Sequence, residues 1–182
     1  MTTQNITYRL LQVVDKNLYR QIRLKCLQNA PENFGITYKE ELNKKSLKFD
    51  EAIDNPNSPN FIYGAFDNAE LIGICGFTLH DRLKKLNQGD ISQFYVTSAY
   101  TGKGIGNSLL RNTINKAFNN LSLEQILLAV MSENEAAISF YKKLGFVKYG
   151  LIENYFKQGE KYWSQLFMVL KKENYLKERE LK

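Results

Sequence analysis

The run from Asp90 to Leu110 narrows the possible folds more than any other stretch of this chain. A β-patterned segment, Asp90-Ile-Ser-Gln-Phe-Tyr-Val96, leads through Thr97-Ser-Ala-Tyr-Thr101 into Gly102-Lys-Gly104-Ile-Gly106. A helix is predicted to begin around Gly104, with Ile105, Leu109, Leu110, Ile114, Ala117 and Phe118 on one face. Three alternating glycines where a strand hands over to a helix leave backbone N–H groups unshielded by side chains. The helix N-terminus behind them carries partial positive charge, so the turn suits a phosphate or diphosphate. A strand that feeds a crossover helix also calls for a parallel partner strand.

The rest of the chain supplies that partner and its surroundings. Ile6, Tyr8 and Leu10 alternate as a short first strand, and Asp15 can cap a helix running to about Asn29, before Pro31. A second helical stretch is predicted near Lys39 to Phe49, followed by a loop rich in Asn and Pro from Asp54 to Asn60. Phe61 to Phe66 and Glu70 to Leu79 read as a hairpin around Asp67-Asn68-Ala69. Ile126-Leu-Leu-Ala-Val130 is a buried strand by its unbroken apolar character, and Ser132-x-x-Glu135 has the form of a capping box. Ala137, Phe140, Tyr141 and Leu144 then repeat at helical spacing before Gly145, and Phe146 to Tyr149 and Trp163 to Leu170 are the closing strands. The crossover helices after Val96 and Val130 imply an α/β chain with a mixed sheet that contains parallel pairs.

At 182 residues, 43% hydrophobic and 24% charged, the chain has the make-up of one globular domain. We assign residues 1–170 to it and 171–182 to a charged, solvated tail. No stretch approaches the roughly 18 uninterrupted apolar residues of a membrane span. The first ten residues lack a signal-peptide h-region, so the expected location is cytoplasmic. Cys26 and Cys75 lie among apolar neighbours and read as buried reduced thiols. The single histidine, His80, cannot build a histidine-based metal site, and no metal is expected; it reads as a surface-loop residue that could also serve as a base. A net charge of +6, dispersed along the chain, permits nucleic-acid binding without demanding it.

Spacing decides among the phosphate sites. A P-loop requires Gly-x-x-x-x-Gly-Lys-Ser/Thr, but Asn107 and Ser108 follow Gly106. A dinucleotide fingerprint requires Gly-x-Gly-x-x-Gly; counted from Gly102 or Gly104, its last place falls on Asn107 or Leu109. What remains closely resembles the GNAT acyl-CoA N-acetyltransferases, whose diphosphate loop reads Gln/Arg-x-x-Gly-x-Gly/Ala. Here it stands as Thr101-Gly-Lys-Gly104-Ile-Gly106, with a threonine in the place usually held by Arg or Gln. The second family signature, Asn-x-x-Ala-x-x-x-Tyr-x-x-x-Gly-Phe, stands as Asn134 through Ala137, Tyr141 and Gly145 to Phe146, about 28 residues further on. The resemblance covers nearly the whole chain. It implies a GNAT fold: a mostly antiparallel sheet of six to seven strands with a central splayed parallel pair, flanked by about four helices.

It also implies roles. Acetyl-CoA, the co-substrate, would lie between the strands ending at Val96 and Val130. The main chain of Phe94, Tyr95 and Val96 would pair with its pantetheine arm, and one N–H would polarise the thioester carbonyl, worth on the order of 3 kcal/mol. Thr101, Gly102, Lys103, Gly104, Ile105, Gly106 and Asn107 would form the diphosphate site, Asn134 would contact the arm, and Lys143 would approach the CoA end. Tyr141 is the family's acid for the departing thiolate. Asp90, on one strand face with Ser92 and Phe94, is the candidate base that frees the amine, directly or through water. Attack would proceed through a tetrahedral intermediate with no acyl-enzyme, since neither cysteine lies in the motifs. The acceptor is a small-molecule or peptide amine; Phe34, Tyr38 and Tyr155 are candidates for its pocket, and a homodimer is allowed. Two other classes stay open: a CoA-binding sensor of the same fold, and a basic nucleic-acid-binding domain.

Overall fold

The computed structural model describes residues 5–120 and 122–180; the ends of the chain, including Lys182 of the expected tail, lie outside them. Strands β1 (Ile6–Leu10), β2 (Phe61–Asp67), β3 (Glu70–Leu79), β4 (Gln88–Val96), β5 (Gln125–Met131), β6 (Val147–Gln158) and β7 (Lys161–Lys171) form one sheet in the order β1-β2-β3-β4-β5-β7-β6. Every neighbouring pair is antiparallel except β4 and β5. The helices are α1 (Lys16–Asn29), α2 (Tyr38–Leu42), α3 (Asp50–Asp54), α4 (Ile105–Asn120), α5 (Glu135–Lys142) and α6 (Lys172–Glu180).

Each face of the sheet is covered by its own apolar cluster. One side packs Ile105, Leu109, Leu110, Ile114, Ala117 and Phe118 of α4 with Tyr141 and Leu144 against the strands. Each aliphatic side chain fully buried there contributes about 1.5–3 kcal/mol. The other side packs Tyr19 and Ile22 of α1 with Leu47, Phe49 and Ile53 onto Ile62, Phe66, Leu71 and Ile74.

Four sequence expectations change. The helix anticipated near Lys39 to Phe49 is confined to the single turn of α2, which Thr37 caps through its capping box with Glu40; residues 43–49 form a loop, and α3 starts only at Asp50, whose Oδ2 accepts from the Leu47 N–H. Helix α5 begins two residues later than Ser132-x-x-Glu135 suggests, because Asn134 is its cap and its Oδ1 accepts from the Ala137 N–H at 3.0 Å. The strand expected at Phe146 to Tyr149 extends to Gln158, paired with β7. The segment expected as a solvated tail forms α6, with Tyr175 buried against Phe118 and its hydroxyl 2.9 Å from Asn115 Oδ1.

Candidate active site

Strands β4 and β5 are in register at only three positions, Gln88 with Gln125, Gly89 with Ile126 and Asp90 with Leu127. Beyond Asp90 and Leu127 they part, β4 staying with β3 and β5 with β7. The inner edges of residues 91–96 and 128–131 therefore line a cavity of about 1100 Å³ instead of bonding each other. An open strand edge of this kind offers main-chain donors and acceptors to an extended ligand.

A bulge divides β4. Gly76 pairs with Ser92 and Ile74 with Tyr95, so Cys75 alone faces both Gln93 and Phe94. Gln93 takes a φ of +54°, a left-handed conformation that costs a non-glycine residue roughly 1–2 kcal/mol. The buried Tyr19 hydroxyl donates to Gln93 Oε1 at 2.7 Å and holds it there. The bulge breaks the strand's alternation: Ile91, Phe94 and Val96 pack on the α4 side, and Tyr95 on the α1 side. Asp90 and Ser92 thus share a face, but Phe94 does not join them, contrary to simple period-two counting.

The glycine-rich turn behaves as its composition suggests. Gly102 and Gly104 have φ of +74° and +79°, and a Cβ on either would meet nothing within 4 Å, so conformation and not space calls for glycine. The first intrahelical bond of α4 runs from the Ser108 N–H to the Gly104 carbonyl, which leaves the preceding amides of the first turn free for an anion. Thr101 spends its hydroxyl on the Ser98 carbonyl at 2.8 Å. The Arg111 guanidinium bonds Asn107 Oδ1 at 3.0 Å and brings a cation to the turn that the motif does not contain.

Tyr141 lies at the cavity wall among Phe94, Phe140 and Phe146, and is 8% exposed. Burial pushes its phenol above the ordinary 10, so the proton stays on at neutral pH. Across the cavity, His80 lies in the loop directly after β3 and is partly buried. It extends the β3–β4 pairing through its N–H to the Gln88 carbonyl, and its Nε2 lies 2.7 Å from Asp90 Oδ2. An ionised Asp90 receives the Nε2–H, which keeps the carboxylate oriented.

Of the anticipated site residues, Phe34, Asp90, Phe94, Tyr95, Val96, Thr101, Gly102, Gly104, Gly106, Asn107, Asn134 and Tyr141 line this one cavity. Five stand outside its wall. Lys103 sits over the Tyr100 ring, Ile105 is buried in the core, and Lys143 is an exposed C-cap of α5. Tyr38 opens α2, and Tyr155 is half exposed, edge-on to Phe156. Asn134 donates one amide N–H to Asn33 Oδ1 at 2.8 Å, clasping the loop before α2 to α5.

The acceptor end holds groups that no motif signalled. Glu41, 1% exposed, accepts from Arg23 Nε and from Lys44, each at 2.8 Å. Burial alone would raise its pKa, but these two cations outweigh that and hold it below the ordinary value. Lys48 Nζ donates to Ser92 Oγ at 3.0 Å.

A glycine turn with free amides at a helix N-terminus and an opened parallel pair share one cavity with Tyr141 and Asp90, an arrangement that suits an extended, phosphate-bearing ligand. The family model for the acetyltransferase (GNAT) family matches residues 23–146, and the chain belongs to that family. It is an acetyl-CoA-dependent N-acetyltransferase. It is 34% identical over 103 residues to N-alpha-acetyltransferase 30 of Schizosaccharomyces pombe, covering 56% of this chain and 67% of that one. With an N-alpha-acetyltransferase of Saccharolobus solfataricus it shares 29% over 139 residues, 76% of this chain and 77% of the other. The chain spans about two thirds of the length of the curated relatives it matches. Its fold matches the Salmonella typhimurium acetyltransferase yncA, solved with acetyl-CoA, at a TM-score of 0.75 and 19% identity over 92% of this chain and 94% of that one.

Proposed function

We propose that this chain moves the acetyl group of acetyl-CoA onto an α-amine by direct attack within a ternary complex. One observation carries the reading: a single cavity joins the glycine turn of α4 and the open edge of β4 to Tyr141 on one side and the Asp90–His80 pair on the other.

The residues of the donor half suit acetyl-CoA, which supplies the acyl group as a thioester. The free amides of the α4 turn would hold its diphosphate, and the main chain of Phe94, Tyr95 and Val96 its extended arm. The acetyl-CoA bound to yncA supports this use of the fold. A main-chain N–H at the bulge would polarise the thioester carbonyl. Asn134 would contact the arm with its second amide N–H, the first being held by Asn33.

Asp90 takes the amine proton, directly or through water. Its Oδ2 is held by His80, and among the described residues Oδ1 has no protein partner. The cost of freeing the amine favours an α-amine: with a pKa of about 8 it is roughly a tenth free at pH 7, which costs about 1.4 kcal/mol, whereas an alkylamine near 10.4 costs about 4.6 kcal/mol. The N-alpha-acetyltransferase names of the relatives support the same class. Tyr141 returns a proton to the departing thiolate; the dry wall that raises the phenol also disfavours a naked thiolate, so donation accompanies C–S cleavage.

Thiol release from acetyl-CoA, measured against matched α-amines and alkylamines, tests this. Acetylated α-amine by mass spectrometry, with no acetyl left on the protein, is the expected result. Preference for the alkylamine refutes the α-amine assignment. Acetyl-CoA binding without thiol release from any amine would identify a sensor instead.

A further inference from the structure

The acceptor end of the cavity carries more positive charge than its carboxylates balance. Arg23, Lys44, Lys48 and Lys85 line it, against Glu41 and Asp90 alone. Glu41 is shared by Arg23 and Lys44, and Asp90 is held by His80. Lys48 forms no ion pair among the described residues; its ammonium donates to the Ser92 hydroxyl and lies 5.4 Å from the centre of the Phe49 ring.

Lys48 is also held in place. Leu47 before it and Phe49 after it are 4% and 1% exposed, and the Phe49 ring lies where a Cβ on Gly76 would come within 2.3 Å. The backbone is therefore pinned on both sides while the side chain reaches into the cavity. Crowding by the surrounding protein lowers its pKa from the ordinary lysine value, and the nearby Asp90 charge opposes that shift. Its ammonium stays open to solvent at the cavity wall and is available to a ligand that brings a carboxylate.

The distance to the proton acceptor is fixed by the strand. Asp90 and Ser92 stand two residues apart on one face of β4, about 7 Å by strand geometry. Hydrogen bonds at both ends use up much of that span, which leaves room for an amine and an anion separated by one or two carbons.

We infer that the preferred acceptor is an amine with a carboxylate one or two carbons from the nitrogen, the amine lying at Asp90 and the carboxylate at Lys48 and Ser92. This rests on the transferase reading above and adds the acceptor's chemical class. Two sources carry the same chemistry: a free α-amino acid, and a peptide whose first residue is aspartate.

Matched pairs separate charge from shape, and one source from the other. Leucine is compared with leucinamide, and a peptide amide beginning Asp-Ala-Ala with one beginning Asn-Ala-Ala, each pair at equal concentrations of the unprotonated amine. Thiol release is measured for the wild type, Lys48→Met and Lys48→Arg. The charged member of at least one pair should win by about 10- to 100-fold in kcat/KM, as expected for a charge-assisted contact. Lys48→Met should bring that ratio to near one, Lys48→Arg should keep most of it, and acetyl-CoA affinity by calorimetry should not change. Equal rates for both members of both pairs, or a preference that survives Lys48→Met, overturn the inference while leaving the transferase reading intact. Calorimetric binding of the same four ligands covers the converse case. Lys48-dependent binding of the charged member without thiol release would refute the transferase reading and support the subsite. Neither turnover nor binding would refute both.

Discussion

Replacing Tyr141 with phenylalanine removes one oxygen from the cavity wall and leaves the ring that packs on Phe94, Phe140 and Phe146. The hydroxyl has no protein hydrogen-bond partner among the described residues, so its loss strands no donor or acceptor. On packing grounds the variant should stay within about 0.5 kcal/mol of wild-type stability. A proton donor in the rate-determining step is a different matter: losing one costs about 10²–10⁴ in rate, or roughly 2.7–5.4 kcal/mol at 1.36 kcal/mol per tenfold. The two magnitudes do not overlap, so one variant separates a structural tyrosine from an acid. The assay is single-turnover thiol release by stopped flow, which keeps product release out of the measurement, alongside a urea titration. Because burial raises the phenol above 10, wild-type kcat should show no alkaline limb from this group below about pH 10. Single-turnover rates within twofold of wild type would refute the acid role. A stability loss beyond 1.5 kcal/mol would refute the packing argument itself.

Asp90→Asn should lower kcat/KM by about 10²–10³, while His80→Gln, which only loosens the carboxylate, should cost about tenfold; equal losses would make His80 the base. Gly104→Ala meets no steric obstacle, so its cost is the left-handed backbone alone, about 1–2 kcal/mol, read as a lower Tm and weaker acetyl-CoA binding by calorimetry. Glu41→Gln leaves Arg23 buried with half a partner and should cost about 3–5 kcal/mol in urea unfolding at pH 7. Glu41 has a depressed pKa in the folded state, so its contribution is present above the unfolded value near 4.5 and fades as pH falls through the folded one. The gap between wild type and Glu41→Gln should therefore narrow below pH 4.5, and a constant gap would show that the pair does not titrate as described.

Local signals made the donor half legible before any coordinates. Alternating glycines, helical spacing and the Asn134-to-Phe146 signature are each written in consecutive residues, and the cavity gathers nearly all of them. The acceptor half is written in no such run. His80 follows β3 and Asp90 stands near the start of β4, brought together by hairpin pairing that neither residue announces. Arg23 comes from α1, Glu41 from α2 and Lys44 from the loop after it, and their meeting depends on how α1 and α2 cover the sheet. Lys103 and Lys143 show the opposite failure: charge at the right sequence distance, with the side chain carried away by the helix or turn it sits on.

The bulge at Gln93 is where the two halves become one site. An unbroken β4 would turn Asp90, Ser92 and Phe94 the same way and carry Phe94 away from Tyr141. One extra residue rotates Phe94 toward Tyr141 and leaves Asp90 with His80 and Lys48 on the α1 side. Acetylating an amine needs a proton taken at the nitrogen and another given at the sulfur. A single strand edge can serve both only if its faces diverge along its length. The conformational cost at Gln93, offset by the Tyr19 hydroxyl, is therefore a functional cost. Cutting the tether with Tyr19→Phe should lower kcat more than it changes acetyl-CoA affinity. Equal changes in both would mean that the bulge serves only to open the strand edge.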